Sequence, residues 1–250
     1  MLKSLFLLFK IAHITDLHLG RPGEQYLELD LRGRFSAVLE RVVEKDKPDL
    51  LVLGGDYSLH NPDVEACKWL RDQLAATKIP YFILSGNHDS SGDLIDVFDH
   101  SSLGYGKLYF KYSAGGYDHL VLDSCLGEID REQLNWLEKS LARAERPLLW
   151  MHHPPDLMGA PFMDGRHALK QREPLLQILH AYQKPLDVFC GHYHAAMVCT
   201  SKNLTIHAAP PTSFYICPGS TVFKQEEYPP GYQLVLLGKE RTVVVPRYVR

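Results

Sequence analysis

Five short segments carry side chains of the types that bind metal ions, and each segment directly follows a short apolar run. The segments are Asp16-Leu17-His18, Gly55-Asp56, Gly86-Asn87-His88-Asp89, His152-His153-Pro154-Pro155 and Gly191-His192-Tyr193-His194. Carboxylate, amide and imidazole groups together suit first-row transition metals. Because side chains alternate along an extended chain, the two Asp-x-His and His-x-His pairs each direct both ligands to the same side.

The ligand set indicates a site for two metals rather than one. A carboxylate such as Asp56 can bridge two cations, and cations about 3.5–4 Å apart can hold a hydroxide and clamp a phosphate. None of the five segments contains a cysteine, so they do not form a tetra-cysteine zinc site. Each segment alone is weak evidence, since Gly55-Asp56 is also an ordinary turn at a strand end. The ordered set is much more specific.

Strand and helix signals alternate through the first 190 residues, which predicts a sheet core covered by helices. Strand-like apolar runs occupy residues 10–15, 49–53, 79–84, 117–122, 147–151 and 186–190, and helical spacing occupies residues 31–44, 64–76, 130–142 and 169–182. In open α/β sheets the carboxyl ends of the strands border the crevice where ligands bind. We therefore expect the five segments to converge on one pocket.

The last sixty residues are β-rich and predict a hairpin. Residues 234–237 and 242–245 form its two strands, and Pro246 places the second strand at a sheet edge or ends it. We find no linker, and we predict one domain over residues 1–250. Its core covers about residues 10–215, and a β-rich C-terminal extension covers residues 216–250.

Composition narrows the class of protein. Apolar residues make up 45% and charged residues 23% of the chain, which is typical of a soluble globular protein. A net charge of −3 without a basic stripe argues against nucleic acid as a partner. Five cysteines without CxxC spacing argue against a disulfide framework and favour the cytoplasm. The apolar run within Met1 to Phe9 is shorter than the roughly 20 residues of a membrane span, so we expect no span there.

The motif order D-x-H, G-D, G-N-H-D, H-H-P-P and G-H-x-H resembles that of the calcineurin-like metallophosphoesterases, over about residues 10–215. The resemblance implies an α/β (α+β) fold with four layers, in which two mixed β-sheets form a sandwich flanked by helices. It also implies a hydrolase of phosphoric esters. Its cofactors would be two divalent or mixed-valence metal ions, drawn from iron, manganese and zinc.

The same resemblance implies seven metal ligands. They are Asp16, His18 and His194 for the first metal, Asn87, His153 and His192 for the second, and Asp56 as the bridge. Of the adjacent histidine pair, His153 is favoured as the ligand and His152 is placed beside it.

The catalytic assignment also follows from the resemblance. A metal-bound hydroxide would attack phosphorus in line, and His88 would stabilise or protonate the leaving alkoxide, with Asp89 beside it. Asn87, His88 and His194 would bind the substrate. No serine or cysteine nucleophile is expected.

Within the family, the chain looks most like the class III cyclic nucleotide phosphodiesterases. The compact size, the H-H-P-P motif, the segment 209–214 and the turn Pro230-Gly231-Tyr232 support this, and cyclic AMP is the expected substrate. The order Pro211-Thr212-Ser213 inverts the two hydroxyl residues of the subfamily. Tyr57 stands where the family usually has an aliphatic residue, so it is a candidate for lining the pocket, as is Tyr193.

Other functions stay open at this stage. The enzyme could act on another phosphodiester or a phosphomonoester, such as a glycerophosphodiester or a nucleotide-sugar pyrophosphate. A different class of protein, an inactive metal-binding scaffold, is disfavoured because the expected ligands are all present. The partner is a small-molecule phosphoester, and the C-terminal hairpin allows a homodimer. The remaining histidines are expected to be surface or structural: His13, His60, His100, His119, His167 and His180.

Overall fold

A computed structural model describes residues 8–104, 106–239 and 241–250 of the chain. Most of the apolar N-terminal run therefore lies outside the described residues. Within the described part, no helix combines the length and the apolar character needed to cross a membrane.

The first sheet is mixed and has five strands in the order β13-β12-β1-β2-β3. Its strands are β1 (Phe9–Ile14), β2 (Leu50–Leu53), β3 (Tyr81–Ile83), β12 (Gly231–Leu237) and β13 (Thr242–Tyr248). Strands β1, β2 and β3 run parallel, and β12 pairs antiparallel with both β1 and β13. The predicted hairpin is thus confirmed, with Pro246 on the edge strand.

The second sheet has six strands in the order β4-β5-β6-β7-β9-β8. Its strands are β4 (Phe110–Ala114), β5 (Tyr117–Val121), β6 (Pro147–Trp150), β7 (Leu186–Cys190), β8 (Met197–Ser201) and β9 (Leu204–Ala208). Strands β5, β6, β7 and β9 are parallel, whereas β4 and β8 are antiparallel edges. A separate two-stranded ribbon joins β10 (Tyr215–Ile216) and β11 (Gln225–Glu226).

Six α-helices accompany the sheets in the described part of the chain: α1 (Leu31–Arg41), α2 (Val64–Thr77), α3 (Ser91–Phe98), α4 (Arg131–Arg143), α5 (Pro161–Arg166) and α6 (Arg172–Ala181). A π-helical turn, Val42–Asp46, extends α1. Several helices begin at a capping side chain. Asp63, for example, accepts hydrogen bonds from the backbone amides of Glu65 and Ala66 at the start of α2.

Two apolar clusters define the layers. The first contains the apolar faces of α1 and α2, the first sheet, and residues such as Trp150 and Phe189 that the second sheet directs inward. The second cluster joins the other face of the second sheet to α4 and α6. Two mixed sheets therefore stack between helices, which confirms the predicted fold class.

Some elements differ from the sequence pattern. Helices α3 and α5 and strand β4 were not predicted, and α6 begins at Arg172 rather than at residue 169. The C-terminal extension is not peripheral, because β12 lies beside β1 in the first sheet. The assignment of residues 1–250 to a single domain stays a prediction.

Candidate metal centre

The five predicted segments begin within a few residues of the ends of parallel strands. Strands β1, β2 and β3 of the first sheet lead to Asp16, Asp56 and Asn87, and strands β6 and β7 of the second lead to His152 and His192. Parallel strands place their carboxyl ends along one edge of each sheet. The expected convergence is observed for the ligand groups described below.

The local backbone differs from the expected extended chain. Asp16, His18, Asp56, His192 and His194 adopt positive φ angles of 53°, 48°, 55°, 67° and 49°. This left-handed region is uncommon for residues other than glycine, and such conformations cluster at functional sites. The shared orientation of Asp16 and His18 therefore comes from strained turns rather than from strand alternation.

Two glycines let these turns approach each other closely. A Cβ atom on Gly86 would collide with the carboxylate and backbone of Asp56, and one on Gly191 would collide with the Thr15 and Asp16 side chains. Glycine is required at both positions because the neighbouring turn occupies the space of a side chain.

Two groups of potential ligand atoms share one carboxylate. The first group comprises Asp16, His18, Asp56 and His194, and the second comprises Asp56, His152 and His192; within each group the ligand atoms lie within 4.8 Å of one another. All of these side chains are buried. The central position of Asp56 is the one that a bridging ligand requires.

Hydrogen bonds to backbone carbonyls set the orientation of the first pair of imidazoles. Nδ1 of His18 lies 3.3 Å from the carbonyl oxygen of Leu59, and Nδ1 of His194 lies 2.7 Å from that of Phe214. Because a carbonyl only accepts, each Nδ1 carries the proton in the neutral ring. The two Nε2 lone pairs then face each other at 3.1 Å, an arrangement that a shared cation satisfies.

The second group follows the same rule. Nδ1 of His152 donates to the carbonyl of Gly54 at 2.8 Å, and its Nε2 lies 3.1 Å from a carboxylate oxygen of Asp56. That buried Nε2 has no aligned hydrogen-bond partner in the described structure. Nε2 of His192 donates to the carbonyl of His167 at 2.8 Å, which leaves its Nδ1 as the ligand atom. The residues present therefore fit two cations.

Burial and the neighbouring charged groups shift the pKa values of the candidate ligands. Burial lowers the pKa of His18 and of His192 to about 3, so both imidazoles are neutral, as metal ligands must be. Burial would also lower the pKa of His152, but the carboxylates of Asp56 and Asp16 raise it to about 9. Burial would raise the pKa of Asp56, but His152 and His18 hold it well below its usual range.

His153 lies beside this cluster rather than in it. Its Nδ1 is 3.0 Å from the hydroxyl of Ser124, which also accepts the His153 backbone amide at 3.1 Å. Its ring packs 4.0 Å from that of His192. The structure brings His152, and not His153, against Asp56, so the preference for His153 does not agree with this placement. Residue type alone does not show which of two adjacent histidines binds a metal.

His88 lies at the edge of the cluster with its ring turned by another carbonyl. Its backbone amide donates to Oδ1 of Asp56 at 2.9 Å, and its Nδ1 is 2.9 Å from the carbonyl oxygen of His60. The ring packs 4.8 Å from that of His18. Because Nδ1 of His88 is bonded to the backbone, Nε2 is the ring nitrogen that stays available to a substrate.

Asp89 does not contact the His88 ring in the way expected. Its carboxylate accepts the backbone amides of Asp56, Tyr57 and Gly86 at 2.8–2.9 Å. It is buried and ties the turn after β2 to the turn after β3. Asp89 is thus placed to position the turn that carries Asp56, the candidate bridge.

A cavity of about 400 Å³ opens over the cluster. Metal-type side chains of both groups form one wall, together with Asn87 and His88, and four aromatic residues form much of the rest: Tyr26, Phe162, Phe214 and Phe223. Among the described residues that line it there is no lysine or arginine. Such a mostly apolar cavity with a few polar groups is typical of a small-molecule site.

Tyr57 and Tyr193 do not line this cavity. The hydroxyl of Tyr57 lies within hydrogen-bond distance of the carbonyls of Leu53 and Leu84 in the core, and that of Tyr193 donates to Asp164. The inverted Thr212 and Ser213 contribute their backbone amides, which donate to the carbonyls of Thr15 and Asp16.

Sequence reasoning missed several residues of the site. His60 and His167 were expected to be surface or structural, but their carbonyls orient His88 and His192 and both residues line the cavity. Phe214 lies 4.3 Å from the His194 ring and holds its Nδ1 through the backbone. Of these residues, only Phe214 could have been found from the sequence, as an aromatic residue. The others act through their backbone carbonyls, which do not depend on residue type.

Comparison with known proteins agrees with this geometry. A "Probable cyclic nucleotide phosphodiesterase" of Fibrobacter succinogenes is 33% identical over 232 residues, which cover 92% of this chain and 90% of the relative. A "Probable glycerophosphodiester phosphodiesterase" of Arcobacter nitrofigilis is 28% identical, covering 81% and 78%. The 3',5'-cyclic adenosine monophosphate phosphodiesterase of Escherichia coli is 27% identical, covering 94% and 87%.

The fold is similar to that of solved structures. A dimetal phosphatase from Danio rerio superposes with a TM-score of 0.70 at 18% identity, covering 97% of this chain and 96% of the other. Residues 9–196 match the family model described as calcineurin-like phosphoesterase. The chain therefore belongs to the calcineurin-like phosphoesterase family and is a metal-dependent hydrolase of phosphoric esters.

Proposed function

We propose that the protein is a 3',5'-cyclic nucleotide phosphodiesterase, with cyclic AMP as its substrate. The observation that carries the proposal is a cavity that combines a two-metal ligand set with aromatic walls and has no lysine or arginine among its described lining residues. Relatives that bear this name, at 27–33% identity, support it.

The charge of the cavity favours a diester. A phosphodiester carries one negative charge, whereas a phosphomonoester carries nearly two at neutral pH, and a buried charge requires a compensating partner. Cationic side chains usually supply such partners. The described lining contains no lysine or arginine, so the metal ions must balance the negative charge of the phosphate. A monoanion requires less compensating charge from them than a dianion does.

We propose six ligands from the sequence pattern together with His152 in place of His153. They are Asp16, His18 and His194 at one position, Asn87, His152 and His192 at the other, and Asp56 between them. When bound, the two metals would activate water and neutralise charge on the phosphoryl oxygens. Iron, manganese and zinc all suit these donors.

The chain's own residues complete the reaction. His88, held by the carbonyl of His60, directs Nε2 to the substrate, where its protonated form donates to the leaving oxygen. Asn87 and His194, which line the same cavity, orient the phosphate. Asp89 keeps the backbone of Asp56 in place for the bridge.

We also propose that the enzyme works in the cytoplasm on a small-molecule substrate. All five cysteines are free thiols, which is typical of a reducing compartment. A homodimer formed through the C-terminal hairpin stays a prediction.

A glycerophosphodiester is the second candidate substrate. A groove that shares Phe214 with the metal-site cavity is lined by Tyr228 and by three glutamates and one arginine: Glu28, Glu226, Glu227 and Arg34. Acidic and aromatic side chains together attract an ammonium group such as that of ethanolamine. The Arcobacter relative carries a glycerophosphodiesterase name.

A substrate panel tests the proposal. The Mn²⁺-loaded protein is assayed with cyclic AMP, glycerophosphoethanolamine and p-nitrophenyl phosphate, with the Asn87→Ala variant as a site control and metal content measured by elemental analysis. We expect kcat/KM to be highest for cyclic AMP and to fall by at least 100-fold in the variant. Preference for glycerophosphoethanolamine would select the second candidate, and activity on the monoester alone would refute both.

A further inference from the structure

Three phenylalanines surround the outer part of the metal-site cavity. The ring of Phe223 lies 6.2 Å from that of Phe162 and 6.4 Å from that of Phe214, with interplanar angles of 66° and 69°. Phe162 belongs to α5, Phe214 precedes the short strand β10, and Phe223 lies between β10 and β11. Three separate segments thus contribute one aromatic ring each, a set that we call the phenylalanine triad.

Two members of the triad connect it to the candidate metal ligands. The ring of Phe214 packs 4.3 Å from that of His194 and 5.3 Å from that of His18. Phe162 packs 5.1 Å from His167, whose carbonyl holds His192. Phe214 therefore lies next to the candidate ligands, whereas the ring of Phe223 contacts the other two members of the triad.

The apolar side chain of Phe223 is partly exposed to solvent. Its side chain is 45% exposed although it lines the cavity and contacts two other rings. Exposed apolar surface at the mouth of a pocket is typical of ligand binding. The segment is held in place, because the amide of Phe162 donates to the carbonyl of Ser220 at 3.1 Å and that of Cys217 to Lys224 at 2.8 Å.

We propose that the phenylalanine triad is the subsite that binds the nucleobase of the substrate, with Phe223 as its specificity-determining residue. The inference rests on the proposed function and goes beyond it by naming the residues that select a nucleotide. A base offers a flat π-face, and stacking on an aromatic ring suits any base without hydrogen-bond readout. The subsite therefore selects diesters that carry a flat aromatic group over diesters of aliphatic alcohols.

A binding experiment tests the subsite without requiring turnover. Isothermal titration calorimetry of the Mn²⁺-loaded protein compares adenosine 5'-monophosphate with ribose 5-phosphate, which differ only in the base. We expect the nucleotide to bind about 5- to 150-fold more tightly, which corresponds to about 1–3 kcal/mol for one stacked base. The Phe223→Ala substitution should remove most of this ratio and leave the affinity for ribose 5-phosphate within twofold.

Two matched variants separate stacking from structure. Val222→Ala changes an adjacent side chain that is 59% exposed and does not line the cavity, so the ratio should persist. Phe223→Trp keeps an aromatic face and should also retain it. Equal or undetectable affinity for both ligands in the unaltered protein, or an unchanged ratio in Phe223→Ala, would overturn the subsite. A retained ratio in a protein that does not hydrolyse cyclic AMP would refute the proposed function alone.

Discussion

At the scale of single residues, backbone carbonyls determine which imidazole nitrogen is available to a cation. The carbonyls of Leu59, Phe214 and Gly54 accept Nδ1–H from His18, His194 and His152, and so three Nε2 lone pairs converge on the carboxylates. The sequence indicates the ligand types, because D-x-H and G-H-x-H are visible as patterns. It cannot indicate the carbonyls, which come from distant turns and carry no signature of residue identity.

The adjacent pair His152 and His153 offers a sharp prediction. Because only His152 faces Asp56, the His152→Ala substitution should reduce bound metal from about two ions per chain toward one. His153→Ala is the matched control, since His153 is bonded to Ser124, and it should retain about two ions. Elemental analysis after dialysis measures both, with circular dichroism to check folding. Loss of metal in His153→Ala alone would restore His153 as the ligand.

Asp89 should act on metal affinity rather than on chemistry. An amide at this position keeps one acceptor oxygen, so Asp89→Asn loses at least one of the three backbone bonds that hold the turns after β2 and β3. We expect metal affinity to fall about 10- to 100-fold, with kcat at saturating metal nearly unchanged. Competitive titration with a chelator measures the affinity, and the exposed Asp96→Asn is the control. A large fall in kcat at saturating metal would instead assign Asp89 to the reaction.

At the scale of elements, strand ends position the candidate ligands, and capping side chains define where several helices begin. The runs at residues 49–53, 147–151 and 186–190 were predicted well, because continuous apolar segments that end in glycine or histidine are unambiguous. Helix α3 was missed because it follows directly after the G-N-H-D motif. Its Ser90 cap accepts from the amide of Asp93, a capping signal that the chemistry of the motif concealed.

The cap of α2 allows a test at this scale. Asp63 accepts two backbone amides at the start of a helix that contributes Leu70 and Leu74 to the first apolar cluster. Asp63→Ala should therefore lower the free energy of unfolding by about 0.5–2 kcal/mol. Asp63→Asn, which keeps an acceptor, should cost much less. Urea denaturation measures both, and equal losses in the two variants would show that capping is not the cause.

At the scale of the whole molecule, the pairing of distant strands closes the fold. Strand β12 lies beside β1 although more than 200 residues separate them, with Ile11 opposite Val235. The local pattern predicted the hairpin of β12 and β13 but not its partner. Strand periodicity shows which face is buried, whereas partner choice depends on packing over the entire chain. The arrangement of two sheets in a sandwich was predicted from the family resemblance, because local sequence patterns do not show which strands pair.

Closure of the sandwich buries a histidine between the sheets and so makes folding sensitive to acid. His119 on β5 accepts a hydrogen bond from Nε1 of Trp150 at 3.1 Å, and burial lowers its pKa from 6.5 to about 4. Between these pH values the unfolded chain binds a proton that the folded chain does not. Stability contributed by neutral His119 is therefore present above pH 6.5 and is lost as the pH falls through 4.

His119 contributes only part of the acid sensitivity, since burial lowers the pKa of His13, His18 and His192 further, to about 3. A shift from 6.5 to about 4 corresponds to about 3 kcal/mol at pH 4. In chelator-treated protein, His119→Gln should flatten the fall in unfolding free energy between pH 6.5 and 4 by about this amount, because glutamine can accept the Trp150 bond but does not titrate. Parallel pH profiles for His119→Gln and the unaltered protein would show that this buried ring does not govern acid stability.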